Sequence, residues 1–164
     1  MLLEAFVRSI SDGYVVGNIQ ILQQHPEARE KIIGIALDSD EQDNPPSKFY
    51  GVFWKIRHAS KSVVGDMHIV THAGEEGPSN YISQALDVLC SERIDHGVQC
   101  LSDDKLRDER IPLTVCPLSN VKLGVFDTMK QHILKRMLDL GLNVSIHSDD
   151  QPTLVDTLRR IISQ

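Results

Sequence analysis

The chain has 164 residues, of which 41% are hydrophobic and 24% charged, and it carries a formal net charge of −6. That length suits a single packed domain over residues 1–164, since domains cluster near ~100–150 residues, and the ordinary charged fraction excludes a disordered or low-complexity tract. The negative balance and the scattered lysines and arginines exclude a duplex-binding surface, which would gather positive charge against phosphates, and leave small molecules as the expected partners.

No apolar run approaches the ~20 residues of a membrane span, and Glu4 and Arg8 fall where a signal peptide would keep its apolar stretch. A cytoplasmic location is therefore expected, with the nucleus as an alternative, and no membrane partner. Cys90, Cys100 and Cys116 are odd in number and form no C-x-x-C pair, the usage of reduced thiols that pack in a core.

In chain order, short β-branched runs predict strands at Leu2–Val7 and Ile32–Leu37, then at Met67–His72, which ends on His72-Ala73-Gly74-Glu75. Pro78 suits a first helical turn, and Tyr81, Ile82, Ala85, Leu86 and Leu89 recur at helix spacing after it. A weaker strand covers Ile94–Val98, around Asp95-His96-Gly97, and Asp103–Arg110 offers barely two helical turns. The run Pro112–Cys116 leads into Cys116-Pro117-Leu118-Ser119-Asn120, read as a loop. A longer helix is expected over Asp127–Leu140, with Met129, Ile133, Leu134, Met137 and Leu138 on one stripe and Gly141 as its stop. The final strand, Asn143–His147, runs into Ser148-Asp149-Asp150.

The strands are nearly continuous in hydrophobicity, which suits parallel strands buried on both faces. Their alternation with helices gives an α/β fold, either a doubly wound sheet or a (β/α)₈ TIM barrel, and no Gly-x-Gly-x-x-Gly or Walker loop favours the former. The repeated placement of polar clusters after strands favours the barrel, where reactive groups gather at the carboxyl ends. A closed barrel needs eight strands and seldom fewer than ~200 residues, so the expectation is a partial barrel lacking its first strands. Open strand edges would then favour self-association.

His72, His96 and Asp149 are residue types that bind zinc, and Glu75 stands like an acid–base group that need not touch a metal. Taken singly, a histidine at a strand end is more often structural, and an Asp pair before a proline more often a turn. Their recurrence after successive strands is what lends them weight.

Val70 to Glu76, Arg93-Ile94-Asp95-His96-Gly97, Cys116 to Asn120 and His147-Ser148-Asp149-Asp150 resemble, in that order, the motifs of the adenosine and adenine deaminase family. Leu37-Asp38-Ser39-Asp40-Glu41 followed by Asn44 to Phe49 is more similar to the adenine deaminase branch, particularly its fungal members. The resemblance runs from about Lys31 to Asp150. It implies a zinc-dependent hydrolysis of adenine to hypoxanthine and ammonia in purine salvage, with adenosine as an alternative substrate. By the same resemblance, His72 and Asp149 would be zinc ligands and Glu75 would deliver a proton to the purine ring. His96 would orient or deprotonate the attacking water, and Asp150 would hydrogen-bond the purine. Those residue types suit the chemistry, because zinc lowers the pKa of water toward ~7 while a carboxylic acid makes the attacked carbon electrophilic.

The sequence departs from that family in three places. Family members carry a His-x-His pair on the first barrel strand, and no His-x-His occurs here. His68 and His72 are no substitute, since four residues along a strand span ~13 Å. Gln151 interrupts the family's Asp-Asp-Pro, and the stretch from Gly97 to Pro112 is short for a crossover. These departures leave two further readings beside the enzyme: a catalytically inactive fragment, or a purine-binding pseudoenzyme.

Overall fold

Ile32–Asp38 is apolar at nearly every position because both faces of that strand are covered, and Ile35, Ala36 and Leu37 are all buried. The computed structural model describes residues 2–7, 24–25, 31–60, 67–102 and 104–149. Within them β1 (Leu2–Val7), β2 (Ile32–Asp38), β3 (His68–Ala73), β4 (Arg93–His96), β5 (Leu113–Val115) and β6 (Val144–Ile146) form one sheet in sequence order. Each strand pairs in parallel with its predecessor. Successive parallel strands joined by helices are the arrangement of part of a (β/α)₈ barrel.

The helices are α1 (Tyr50–Ser60), α2 (Asn80–Asp87), α3 (Asp104–Asp108), α4 (Pro117–Lys122) and α5 (Leu134–Asp139), with 3₁₀ turns at Pro46–Phe49 and Cys100–Ser102. Two apolar clusters hold them to the sheet. In one, Val52, Phe53 and Ile56 of α1 pack with Phe49 against Leu37 and Ile69. In the other, Ile82, Ala85 and Leu86 of α2 pack with Leu106 and Met137 around Ile94, Leu113 and Val115. At roughly 1.5–3 kcal/mol per buried aliphatic or aromatic side chain, this packing rather than local propensity decides where helices form. No described helix is long and apolar enough to cross a membrane.

Several elements differ from the sequence reading. Helix α1 was not expected, because Gly51 and a run of aromatic and β-branched residues are poor helix formers and only burial of one face stabilises it. Cys116–Asn120, read as a loop, is mostly α4, with Pro117 at its first turn, where the missing N–H costs nothing. The helix expected over Asp127–Leu140 is confined to α5, and Leu138 faces solvent rather than the core. The reason is His132, whose buried side chain turns inward and accepts the Leu134 N–H at 3.0 Å, so the helix begins only there. Strand β4 also starts one residue early and ends at His96, whose φ of 64° breaks the extended run.

Candidate active site at the strand ends

Register brings the chemistry together. His72 is the Cα partner of Asp95, and Ala73 that of His96, so the ends of β3 and β4 lie level. The rings of His72 and His96 meet edge to face with centroids 4.7 Å apart. Residues 147–149 extend beyond β6, where His147 N–H bonds to Val115 O at 2.9 Å. Asp149 then lines the same cavity as His72, Glu75 and His96. That cavity has a volume of about 670 Å³ and is also lined by Asp38, Ser39, Asp40 and Glu76, a size within the usual range for small-molecule sites. Of the six non-glycine residues with positive φ among those described, Ser39, His96 and Asp149 line it. Such backbone costs on the order of 1 kcal/mol or more per residue and persists where the surroundings enforce it.

The loop after β3 is held by an unusual anchor. Glu41, only 1% exposed, accepts the backbone N–H groups of Gly74 and Gly77 on Oε2, each at 2.9 Å, and that of Glu75 on Oε1 at 3.2 Å. One buried carboxylate thus takes three N–H groups of the loop that presents Glu75. Both glycines are required: Gly74 has φ 71°, and a Cβ there would lie 2.7 Å from Ile82 Cδ1. At Gly77 a Cβ would collide with Glu41 Oε2 and lie 2.5 Å from the Tyr81 ring.

Glu75, itself buried, faces His96, with Oε1 3.0 Å from Nδ1. Asn120 Nδ2 donates to the same Oε1 at 2.6 Å and lies 3.3 Å from His96 Nδ1. His132 Nε2 lies 3.1 Å from Asn120 Oδ1. Burial alone would lower the His96 pKa, but the hydrogen bond and charge of Glu75, with Asp149 and Asp95, raise it overall. Burial and then the nearby His96 lower that of His72, against the pull of Asp95, Asp38 and Glu75. Cys116 is pushed up to about 12, first by burial and then by the carboxylates of Asp149, Asp95 and Glu75. Asp38 Oδ1 is buried with no hydrogen-bond partner.

Among the residues singled out from sequence, His72, Glu75, His96 and Asp149 share this cavity, whereas Asp150 lies outside the described residues. His68 sits at the opposite end of β3, exposed and paired with Glu92 at 2.6 Å. Among the described residues, two donor sets bring one ligand atom from each member within 4.8 Å of the others: His72, Glu75 and His96, and His96, Cys116 and Asp149. Sequence reasoning gave no role to Glu41, Asp38 or Asn120 and did not notice His132. Asn120 lies in a quoted motif, and only its reach across 45 positions to Glu75 reveals its role.

Burial lowers the His132 pKa to about 4. The unfolded chain, with an ordinary histidine near ~6.5, binds the proton first as the pH falls. The stability from a neutral His132 is therefore complete above about pH 6.5 and declines as the pH drops toward about 4, by up to ~3 kcal/mol. His96 titrates in the opposite sense, so the difference between two proteins is the useful quantity. Wild type should lose more stability than His132→Gln between pH 7 and pH 4 in urea titrations; equal losses would contradict the assignment.

The sequence model described as "Adenosine deaminase" matches residues 15–160, beyond the Lys31–Asp150 span over which motifs were legible. An adenine deaminase from Cupriavidus taiwanensis is 44% identical over 153 residues, covering 91% of this chain and 41% of the relative. The crystal structure of an adenine deaminase from Arthrobacter aurescens superposes with a TM-score of 0.83 at 40% identity, covering 99% of this chain and 50% of that one. An amidohydrolase from Burkhoderia ambifaria, solved with bound Zn, superposes with a TM-score of 0.72 at 25% identity, covering 91% of this chain and 41% of that one. The chain therefore spans about two fifths to one half of the length of these proteins.

Proposed function

The chain belongs to the adenosine deaminase family, and from that premise we propose that its strand-end cavity serves the hydrolytic deamination of adenine to hypoxanthine and ammonia, a purine-salvage reaction. The observation that carries this reading is the convergence of His72, Glu75, His96 and Asp149, from three different strand ends, on one cavity of about 670 Å³.

Replacing an amine with oxygen on an aromatic ring needs a water made nucleophilic and a ring nitrogen protonated so that the carbon beside it becomes electrophilic. In this reading Glu75, buried in the cavity wall, donates a proton to the ring nitrogen beside the attacked carbon. His96 keeps Nδ1 on Glu75, which leaves Nε2 as the ring nitrogen that orients the water and takes its proton. That proton then passes to the departing ammonia, and the proton of the added hydroxyl returns to Glu75 as the carbonyl forms. Asp150, the neighbour of Asp149, would bind the purine edge.

The donors present suit zinc in kind. His72 is a half-buried imidazole and Asp149 an exposed carboxylate, each grouped with His96 rather than with the other, and the orphaned Asp38 Oδ1 adds negative potential to the same cavity. His72 and Asp149 would hold the ion; when bound it supplies the Lewis acidity that brings water toward ionisation near neutral pH. The sequence contains no His-x-His, so this chain contributes two of the family's ligands. That same fact favours a second reading, purine binding without turnover.

One experiment separates the two. Adenine is incubated with the protein in zinc buffer, hypoxanthine and ammonia are followed, and adenine binding is measured by calorimetry with and without chelator. Deamination predicts both products in equal amounts. Binding alone predicts chelator-insensitive heat and no product, and absence of both heat and product would defeat the two readings together. A faster reaction on adenosine than on adenine would transfer the activity to the nucleoside.

A further inference from the structure

The direction of every hydrogen bond behind Glu75 is fixed from one end. The Leu134 N–H can only donate, and it donates to His132 Nδ1 at 3.0 Å. His132 Nδ1 is therefore the unprotonated nitrogen, and Nε2 carries the hydrogen. Nε2–H donates to Asn120 Oδ1 at 3.1 Å, which turns the amide so that its NH₂ faces inward. That NH₂ donates to Glu75 Oε1 at 2.6 Å. All three side chains are buried, and Phe126 covers the His132 ring with centroids 4.6 Å apart. The backbone carbonyl of Asn120 accepts the Val125 N–H at 2.9 Å, which ties the loop after α4 to the same residue.

We propose that His132 and Asn120 are positioning residues, a one-directional relay that sets the rotamer of Glu75 from the turn just before α5, outside the residues that line the cavity. This rests on the reading of Glu75 as the group that meets the purine. The relay explains two otherwise idle features: a histidine buried away from the cavity, and an asparagine with no measurable exposure inside a short helix. Without the Nε2–H donor the amide can rotate, and its oxygen would then face the Glu75 oxygen. A buried amide turned the wrong way sets its oxygen against Glu75 Oε1, which then keeps only His96 Nδ1, and such a loss costs about tenfold or more in any binding that depends on it.

The test compares wild type with His132→Phe, which keeps a ring but no donor, and His132→Gln, whose side-chain amide can place an N–H near the position of Nε2. Asn120→Asp is the isosteric check should the phenylalanine variant fail to fold. Two quantities are read: the side-chain amide signals of Asn120 by ¹⁵N NMR, and the affinity for adenine by calorimetry. The relay predicts that wild-type His132 shows the Nε2–H tautomer, and that the Asn120 signals move in His132→Phe and return in His132→Gln. It also predicts that adenine affinity falls about tenfold in His132→Phe and in Asn120→Asp, with recovery in His132→Gln. An Nδ1–H tautomer, Asn120 signals unmoved in His132→Phe, or unchanged adenine affinity in both donor-deleted proteins would overturn it. If the NMR arm holds while wild type binds no adenine, the relay stands as a device that orients Glu75 and the purine reading of Glu75 is what fails.

Discussion

Glu41→Gln should lower the unfolding free energy by about 2–4 kcal/mol, an effect as large as that of a core truncation. The carboxylate accepts three backbone N–H groups with two oxygens. A glutamine offers one acceptor oxygen, so its NH₂ must point at one or two of those N–H donors inside a site that water does not reach. Hydrogen bonds to a charged group contribute roughly 1.5–3 kcal/mol each, and an unsatisfied buried donor costs a further ~1–3 kcal/mol. The urea midpoint should fall with little change in the slope, since the surface exposed on unfolding is unaltered. A midpoint shift equivalent to less than about 0.5 kcal/mol, the scale of an ordinary surface substitution, would mean that the loop holds its shape without Glu41.

The second large effect belongs to Glu75→Gln. A glutamine can keep its oxygen where Asn120 Nδ2 and His96 Nδ1 meet it, so the fold and the cavity wall should survive. On the proposed reading, what is lost is the carboxyl that passes a proton to the purine. Removing a general acid lowers a rate by about 10²–10⁴-fold, and the expected result is a loss of hypoxanthine formation on that scale while the urea midpoint stays near that of wild type. A variant that retains full turnover would remove Glu75 from the chemistry, whereas one that loses turnover and stability together would make it a structural residue.

Much of this site can be read before any coordinates, for a physical reason. Parallel strands buried on both faces appear as unbroken apolar runs, so the polar residues that end them stand out: His72 and Glu75 after β3, His96 at the end of β4, Asp149 after β6. The barrel rule then sends all of those ends to one side. Contacts that span long stretches of chain leave no such mark. Glu41 reaches residues 33 to 36 positions away, and nothing local distinguishes it from a solvated acid in an Asp-Ser-Asp-Glu run. His132 sits where the periodicity of Met129, Ile133 and Met137 reads as continuous helix. Its inward turn depends on Asn120 and the Leu134 N–H, which a pattern of apolar spacing cannot register. Helix α1 shows the converse, because its sequence opposes a helix locally while the pocket formed by Leu37, Ile69 and Leu89 stabilises one.

The proposed function requires that one cavity, shared by the ends of β3, β4 and β6, recognise a purine. Titrating the ¹⁵N-labelled protein with hypoxanthine, the product of the proposed reaction, tests that claim most directly. The largest backbone shifts should fall at residues 74–76, at His96 and Gly97, and at Ser148 and Asp149, and they should saturate with one common affinity. Shifts confined to another face, or none at concentrations that saturate a purine site, would contradict it.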